Sequence, residues 1–254
     1  MKIQYCSDLH LEFEDNSSYL RNNPLTVAGD YLILAGDISY MGRIMKTDKW
    51  FFDWCSDNFK ATYYVPGNHE FYDYSDISIL ENPYREALLP NVFFVSNYSV
   101  QIEGYDLLFT PLLSRIADVN NMIISFCMND FRRILFHKKK MTIENYNLIN
   151  SVCVSFLRNE LEKTKNRVMI FTHHVPSRLC SSKEHNESPL SEAFANDLDD
   201  MILKYTDKIS YWVFGHSHKS LAREIGRTTI VSNQLGYIIE HENTGFRTDA
   251  CLEL

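Results

Sequence analysis

Five short stretches of this chain end on side chains that bind metal ions: Asp8 with His10, Asp37, Asn68 with His69, His173 with His174, and His216 with His218. Carboxylate, amide and imidazole donors without a thiolate suit Mn, Fe, Zn, Co or Ni, and neutral imidazole is the commonest nitrogen ligand. Two Asp, one Asn and four or five His are enough for two divalent ions. Asp8-x-His10 and His216-x-His218 each set two donors two residues apart, on one side of an extended segment. The second pair can therefore serve two neighbouring ions. Gly36 and Gly67 stand directly before Asp37 and Asn68, where a residue without a Cβ lets the chain turn sharply. The Gly67-Asn68-His69-Glu70 run thus combines a turn, an amide ligand and an acid–base histidine.

Such donors are useful only if the chain gathers them, and the residues before them say how it does. Apolar runs at 3–5, 31–35, 61–65, 168–171 and 209–214 each stop at one of the donor groups. Buried strands of four to eight residues have this pattern, and in open α/β sheets ligands bind beyond the carboxyl ends of the strands. All five groups are therefore expected on one edge of the fold. Gly29-Asp30 is an internal control: it precedes the run at 31–35, lies at the wrong edge, and reads as a turn. Further strands are expected at 92–96 and 106–109, with a short helix at 50–59. Residues 142–163 carry Ile143, Tyr146, Ile149, Val152, Cys153, Phe156 and Leu161 near helical spacing, and Thr142 with Asn145 is suited to begin that helix. Residues 191–205 repeat the pattern with Phe194, Leu198, Met201 and Ile202, so a second helix packed on a sheet is expected there. The segment 112–140 has few strand signals and a basic run from Arg132 to Lys140. It reads as an insertion leaning over the active edge of a single domain, 1–254.

At 254 residues and a net charge of −8, the chain can bury a sizeable core and lacks the broad basic face that extended nucleic-acid binding requires. Its six cysteines are scattered without a Cys-x-x-Cys pair, which signals neither a disulfide framework nor a thiolate zinc site; buried thiols are expected. No signal-peptide pattern and no apolar stretch of membrane-spanning length is present. A cytoplasmic location without a membrane partner is the expectation, and nothing reports the oligomeric state.

In this order the motifs resemble the calcineurin-like metallophosphoesterase superfamily, over residues 8–218. Asn129-Asp130-Phe131-Arg132-Arg133-Ile134, Thr172-His173-His174-Val175-Pro176-Ser177 and Val231-Ser232-Asn233-Gln234-Leu235-Gly236-Tyr237 also resemble a bacterial subgroup of small phosphoesterases. The resemblance implies an α/β fold in which two mixed β-sheets form a central sandwich flanked by helices, and it implies hydrolysis of phosphate esters. Carried over by position, Asp8, His10 and His218 would hold one ion, Asn68, His173 and His216 the other, and Asp37 would bridge them. A hydroxide between the ions would attack directly, while His69, just outside the metals, assists the leaving group or hydrogen-bonds the phosphoryl group. His173 is the implied ligand because it directly follows the apolar run; His174 would support it or face the substrate. Protein Ser/Thr phosphatases follow the Gly-Asp with Asp-Arg-Gly, whereas this chain has Ile38-Ser39-Tyr40-Met41-Gly42. The aspartate that orients the histidine in those enzymes is therefore missing there, and a phosphoprotein substrate is disfavoured.

Arg132 and Arg133 are candidate phosphate contacts, since a planar guanidinium suits that group, although Asp130 and the basic run equally fit a solvated helix face. Asn233 and Tyr237 read either as pocket residues or as strand-end turns. His137, His185 and His241 read as surface histidines, and Glu70 as a support for the ligands. The expected partner is a small phosphate ester: a monoester, a cyclic nucleotide or another diester. A nuclease and a non-catalytic metal-binding scaffold of the same fold are the competing readings.

Overall fold

The computed structural model describes residues 1–181 and 188–252; His185 lies outside them. One six-stranded sheet contains β1 (Ile3–Cys6), β2 (Tyr31–Ala35), β3 (Ala61–Val65), β4 (Tyr84–Leu89), β5 (Val92–Ser96) and β14 (Cys251–Leu252), in the order β14-β1-β2-β3-β5-β4. The other contains β6 (Tyr98–Ile102), β7 (Tyr105–Phe109), β10 (Arg167–Phe171), β11 (Ile209–Phe214), β12 (Leu221–Ile225) and β13 (Thr228–Ser232), in the order β12-β13-β11-β10-β7-β6. In each sheet four parallel strands are bordered by one antiparallel strand on either side. Both sheets are mixed, as expected.

The alternation of side chains along a strand decides the layers. Ile33 and Ala35 of β2 join Met169 and Phe171 of β10 in an apolar layer between the sheets. Their neighbours Leu32 and Leu34 turn outward onto α1 (Glu14–Asn22) and α2 (Lys49–Asn58), through Leu20, Phe51, Phe52 and Cys55. Val168 and Ile170 likewise turn outward, onto Tyr146, Ile149, Cys153 and Leu157 of α5 (Ile143–Lys163). Central strands buried on both faces explain why their sequences read as unbroken apolar runs. The start of α5 is a capping box: Thr142 Oγ1 accepts the Asn145 N–H at 3.3 Å, and Asn145 Oδ1 accepts the Thr142 N–H at 3.1 Å.

Two expectations are corrected. Residues 191–205 are not one helix: a 3₁₀ turn at Ser191–Ala193 is followed by extended backbone and then by α6 (Asp199–Lys204). Ala195 and Asp197 bridge to Val175 and Ser177, and the Asn196 N–H donates to the Val175 carbonyl at 2.9 Å. Those backbone groups serve the loop after β10 and cannot serve a helix. The apolar spacing persists because Phe194, Leu198, Met201 and Ile202 still pack against the outer face of the second sheet. The second correction concerns Asp130, which lies in the segment 112–140 with its 3₁₀ turn, α3 (Asn121–Cys127), α4 (Asp130–Arg133) and small hairpin of β8 (Leu135–Phe136) with β9 (Lys139–Lys140). Asp130 is fully buried there, not on a solvated face.

The loops leaving the central strands of the two sheets meet at one edge. The Asp8 N–H donates to the Gly36 carbonyl at 3.0 Å, that of Gly215 to the His173 carbonyl at 2.8 Å, and that of His216 across the sheets to Asp8 Oδ1 at 2.9 Å. No helix among the described residues is long and apolar enough to cross a membrane.

Candidate metal centre

At this edge the backbone is bent sharply. Asp8, His10, Asp37, His216 and His218 all have positive φ, between 47° and 72°, a conformation that costs a non-glycine residue of order 1–3 kcal/mol. Each turn aims its side chain inward, and hydrogen bonds fix the turns. The Glu70 carboxylate accepts backbone N–H groups from Asp37 (3.1 Å), Ile38 (2.7 Å) and Gly67 (2.5 Å), as well as the Tyr64 hydroxyl. Glu70 is therefore a support, acting on the loop backbones. Gly36, at φ 89°, has no room for a side chain, because a Cβ there would run into the His173 ring.

The donors converge in two groups. Asp8, His10 and His218 offer ligand atoms within 4.8 Å of one another, with His10 Nε2 3.0 Å from His218 Nε2 and the latter 3.6 Å from Asp8 Oδ1. His173 Nε2 lies 3.3 Å from Asn68 Oδ1, and its ring centre is 5.0 Å from that of His216. Asp37 Oδ2 stands between the groups, 3.3 Å from His173 Nε2 and 4.0 Å from His10 Nε2. His173, His174 and His216 also bring nitrogens within 4.8 Å of one another.

The chemistry of these atoms fits divalent cations. His216 Nε2 and His174 Nε2 are buried without a hydrogen-bond partner, a state that is costly unless an ion completes it. The outward nitrogens of three rings are held: His10 Nδ1 by Glu12 Oε1 at 3.1 Å, His218 Nδ1 by Glu242 Oε2 at 2.5 Å, and His173 Nδ1 by the Ala35 carbonyl at 2.9 Å. Such partners fix the ring so that Nε2 points to the metal. Burial, and then the neighbouring His174 and His173, push the His216 ring well below the usual histidine range. Burial and His69 also lower His10, against the pull of Glu12. Both rings are thus kept neutral, the form that binds metal. Burial works to raise the Asp37 carboxyl, but His173, His69 and His10 together hold it well below its ordinary value.

His69 stands beside this group. Its Nδ1 is 2.8 Å from Glu12 Oε1, its Nε2 is 3.2 Å from the Tyr237 hydroxyl, and its N–H donates to Asp37 Oδ1 at 2.9 Å. Burial opposes a charge on the ring, but Asp37 and Glu12 outweigh it and raise His69 to about 9. A cavity of about 430 Å³ opens over His69, Asp37, Asn68, His216, His218 and Arg133. Arg133 reaches it with its guanidinium over the rings of Tyr40 (5.3 Å) and Tyr72 (5.4 Å). Arg132 turns away and donates to the Phe126 carbonyl. His174 is fully buried, hydrogen-bonded through Nδ1 to Ser114 Oγ at 2.9 Å and stacked on His216 at 3.9 Å; it lies behind the donors, away from the cavity. Tyr237 lines the cavity, whereas the Asn233 amide donates to the Tyr5 and Arg247 carbonyls and stabilises a turn. His137 pairs with Glu81 on the surface, and His241 is exposed.

Glu12, Glu242, Tyr72 and Asp130 were not evident as site residues from the motifs alone. Glu12 did have a signal, since Asp8-x-His10-x-Glu12 continues the alternation by one more polar residue. Glu242 follows the last donor by 24 residues with no local pattern.

A family model described as calcineurin-like phosphoesterase matches residues 1–220. An uncharacterised protein of Acanthamoeba polyphaga mimivirus is 29% identical over 280 residues, spanning 99% of this chain and 96% of its own length. The crystal structure of phosphopantetheinyl hydrolase from Mycobacterium tuberculosis superposes with a TM-score of 0.67 at 16% identity, covering 94% of this chain and 90% of that one. A dimetal phosphatase from Danio rerio does so with a TM-score of 0.50 at 16% identity, covering 94% and 88%. At such identity the two structures speak for the fold.

Proposed function

We propose a ligand set and a mechanism for a chain that belongs to the calcineurin-like phosphoesterase family and is a metal-dependent phosphate-ester hydrolase. Asp8, His10 and His218 would hold one ion, Asn68, His173 and His216 the other, with Asp37 shared between them. When bound there, two divalent ions would supply the chemistry of a water of lowered pKa and of charge withdrawal from the phosphoryl oxygens in a direct in-line displacement. Glu12 holds His69 Nδ1, which leaves Nε2 to face the cavity and hand a proton to the leaving oxygen. That bond accelerates the reaction only as far as it tightens in the transition state. Arg133, the member of the arginine pair that lines the cavity, binds an anionic oxygen of the substrate.

The substrate is a small phosphate ester, a monoester or a compact diester, supported by a cavity of about 430 Å³ in a chain of net charge −8. Six free cysteines support a reducing, cytoplasmic setting. The observation that carries the assignment is Asp37 Oδ2 set between His173 and His10 while His216 Nε2 is buried without a partner. With Mn²⁺ added to metal-stripped protein, hydrolysis of p-nitrophenyl phosphate is expected, with Asp37→Ala and His216→Ala reduced to background. Full turnover in excess chelator would overturn the assignment. So would Mn²⁺-dependent thermal stabilisation without hydrolysis of any mono- or diester, the behaviour of a scaffold.

A further inference from the structure

The Asn129-to-Ile134 motif contributes no donor to the ligand set, yet it enters the centre. Asp130 is 0% exposed. Its Oδ2 accepts the Tyr72 hydroxyl at 2.5 Å, and it lies 3.5 Å from Asn68 Nδ2, which itself donates to the Tyr72 oxygen at 2.8 Å. The amide nitrogen of Asn68 is thereby drawn to one side. Its Oδ1 is left on the other, 3.3 Å from His173 Nε2. This orientation matters because an amide binds a cation through oxygen, while its NH₂ is donor-only. A flipped Asn68 would point two hydrogens at the ion.

The turn that carries Asp130 is anchored on both sides. Phe131 packs on Tyr146 at 5.6 Å, and the Arg133 carbonyl accepts the Tyr74 N–H at 3.1 Å. Three residues after Asp130, Arg133 reaches the cavity.

We infer that Asp130 is a positioning residue for the ion on the Asn68 side: through Tyr72 it holds the Asn68 amide with its oxygen toward the metal. One helical turn then carries both this support and the arginine that meets the substrate. The inference rests on the ligand assignment above.

Titrating metal-stripped protein with Mn²⁺ by calorimetry tests it, with the melting temperature of the metal-free form and KM at saturating Mn²⁺ measured alongside. Asp130→Asn, which keeps the shape and removes the charge, is expected to weaken one Mn²⁺ site about 10–100-fold. The other site and KM should stay as in wild type. Tyr72→Phe should weaken the same site by a smaller factor, and it provides the reading if Asp130→Asn does not fold. In an Asn68→Ala background, Asp130→Asn should have no further effect on that site, which a general packing role would not predict. If Asn68→Ala loses one Mn²⁺ site while Asp130→Asn and Tyr72→Phe bind Mn²⁺ as wild type does, the positioning role is overturned. If Asn68→Ala changes neither site, the ligand assignment itself falls, and this inference with it.

Discussion

Glu12 uses a single carboxylate oxygen for two imidazoles, His10 Nδ1 at 3.1 Å and His69 Nδ1 at 2.8 Å, and its side chain is 1% exposed. A carboxylate on His69 is therefore present although the Asp-Arg-Gly run of the Ser/Thr phosphatases is not; it arrives from the loop between β1 and α1 instead. Glu12→Gln removes the anionic acceptor from both rings at nearly constant volume. Metal affinity or activity is expected to fall about 10–100-fold, as for other partners that orient ligating histidines. If His69 also gives a proton to the leaving oxygen, the loss should be larger for alkyl phosphates than for p-nitrophenyl phosphate, whose leaving group needs little proton transfer. The ratio of kcat/KM on the two substrates measures this, and equal losses would remove the leaving-group role from His69. At this scale the candidate donors were legible because each group stands shortly after the end of an apolar run. Glu242 was not, because its contact with His218 is made only by the folded chain.

The helix α5 shows how far an element can be read from its own residues, since Thr142 and Asn145 meet as the sequence suggests. Thr142→Ala removes the hydroxyl that accepts the Asn145 N–H and is expected to cost about 1 kcal/mol, seen as a lower midpoint in denaturant without a change in kcat. A midpoint equal to wild type would show that the cap contributes nothing. The central strands were legible for a related reason: β2, β3 and β11 are buried on both faces, so their apolar runs coincide with the observed bounds. Edge strands gave no such signal. β12 runs Leu-Ala-Arg-Glu-Ile with three exposed residues at its centre, because one flank faces solvent. The helical spacing over 191–205 reported burial correctly, but it could not report that Asn196 gives its N–H to Val175. The solvated-face reading of Asp130 fails for the converse reason: a charged residue beside two arginines looks solvated until Tyr72 and Asn68, more than fifty residues earlier, close over it.

For the whole molecule, gathering so many titratable groups at one edge makes protons and metal ions competitors for the same fold. Burial disfavours a charge on His173, but Asp37 outweighs it and raises the ring from 6.5 to about 9 in the metal-free chain; His69 is raised to about 9 as well, by Asp37 and Glu12 against burial. Burial and then Asp37 raise the Glu70 carboxyl to about 7. A raised pKa means that the folded state holds a proton the unfolded chain releases, so the stabilisation is complete below the unfolded value and lost as pH rises through the folded one. For the two histidines that window runs from 6.5 to about 9. His10 and His216, lowered by burial, take no part in it. Metal binding has the opposite slope, because imidazole ligates only when the proton has left. The metal-free protein should therefore lose melting temperature across that window, while Mn²⁺ binds more tightly. Since a ligand at 100 times its Kd stabilises by about 2.7 kcal/mol, the gap between Mn²⁺-saturated and chelator-treated melting curves should widen steadily toward the alkaline end. Melting both forms at several pH values in buffers that do not bind metal measures that gap. A gap independent of pH would mean that no ligand loses a proton when the ion enters, which is incompatible with His173 as a metal ligand held by Asp37.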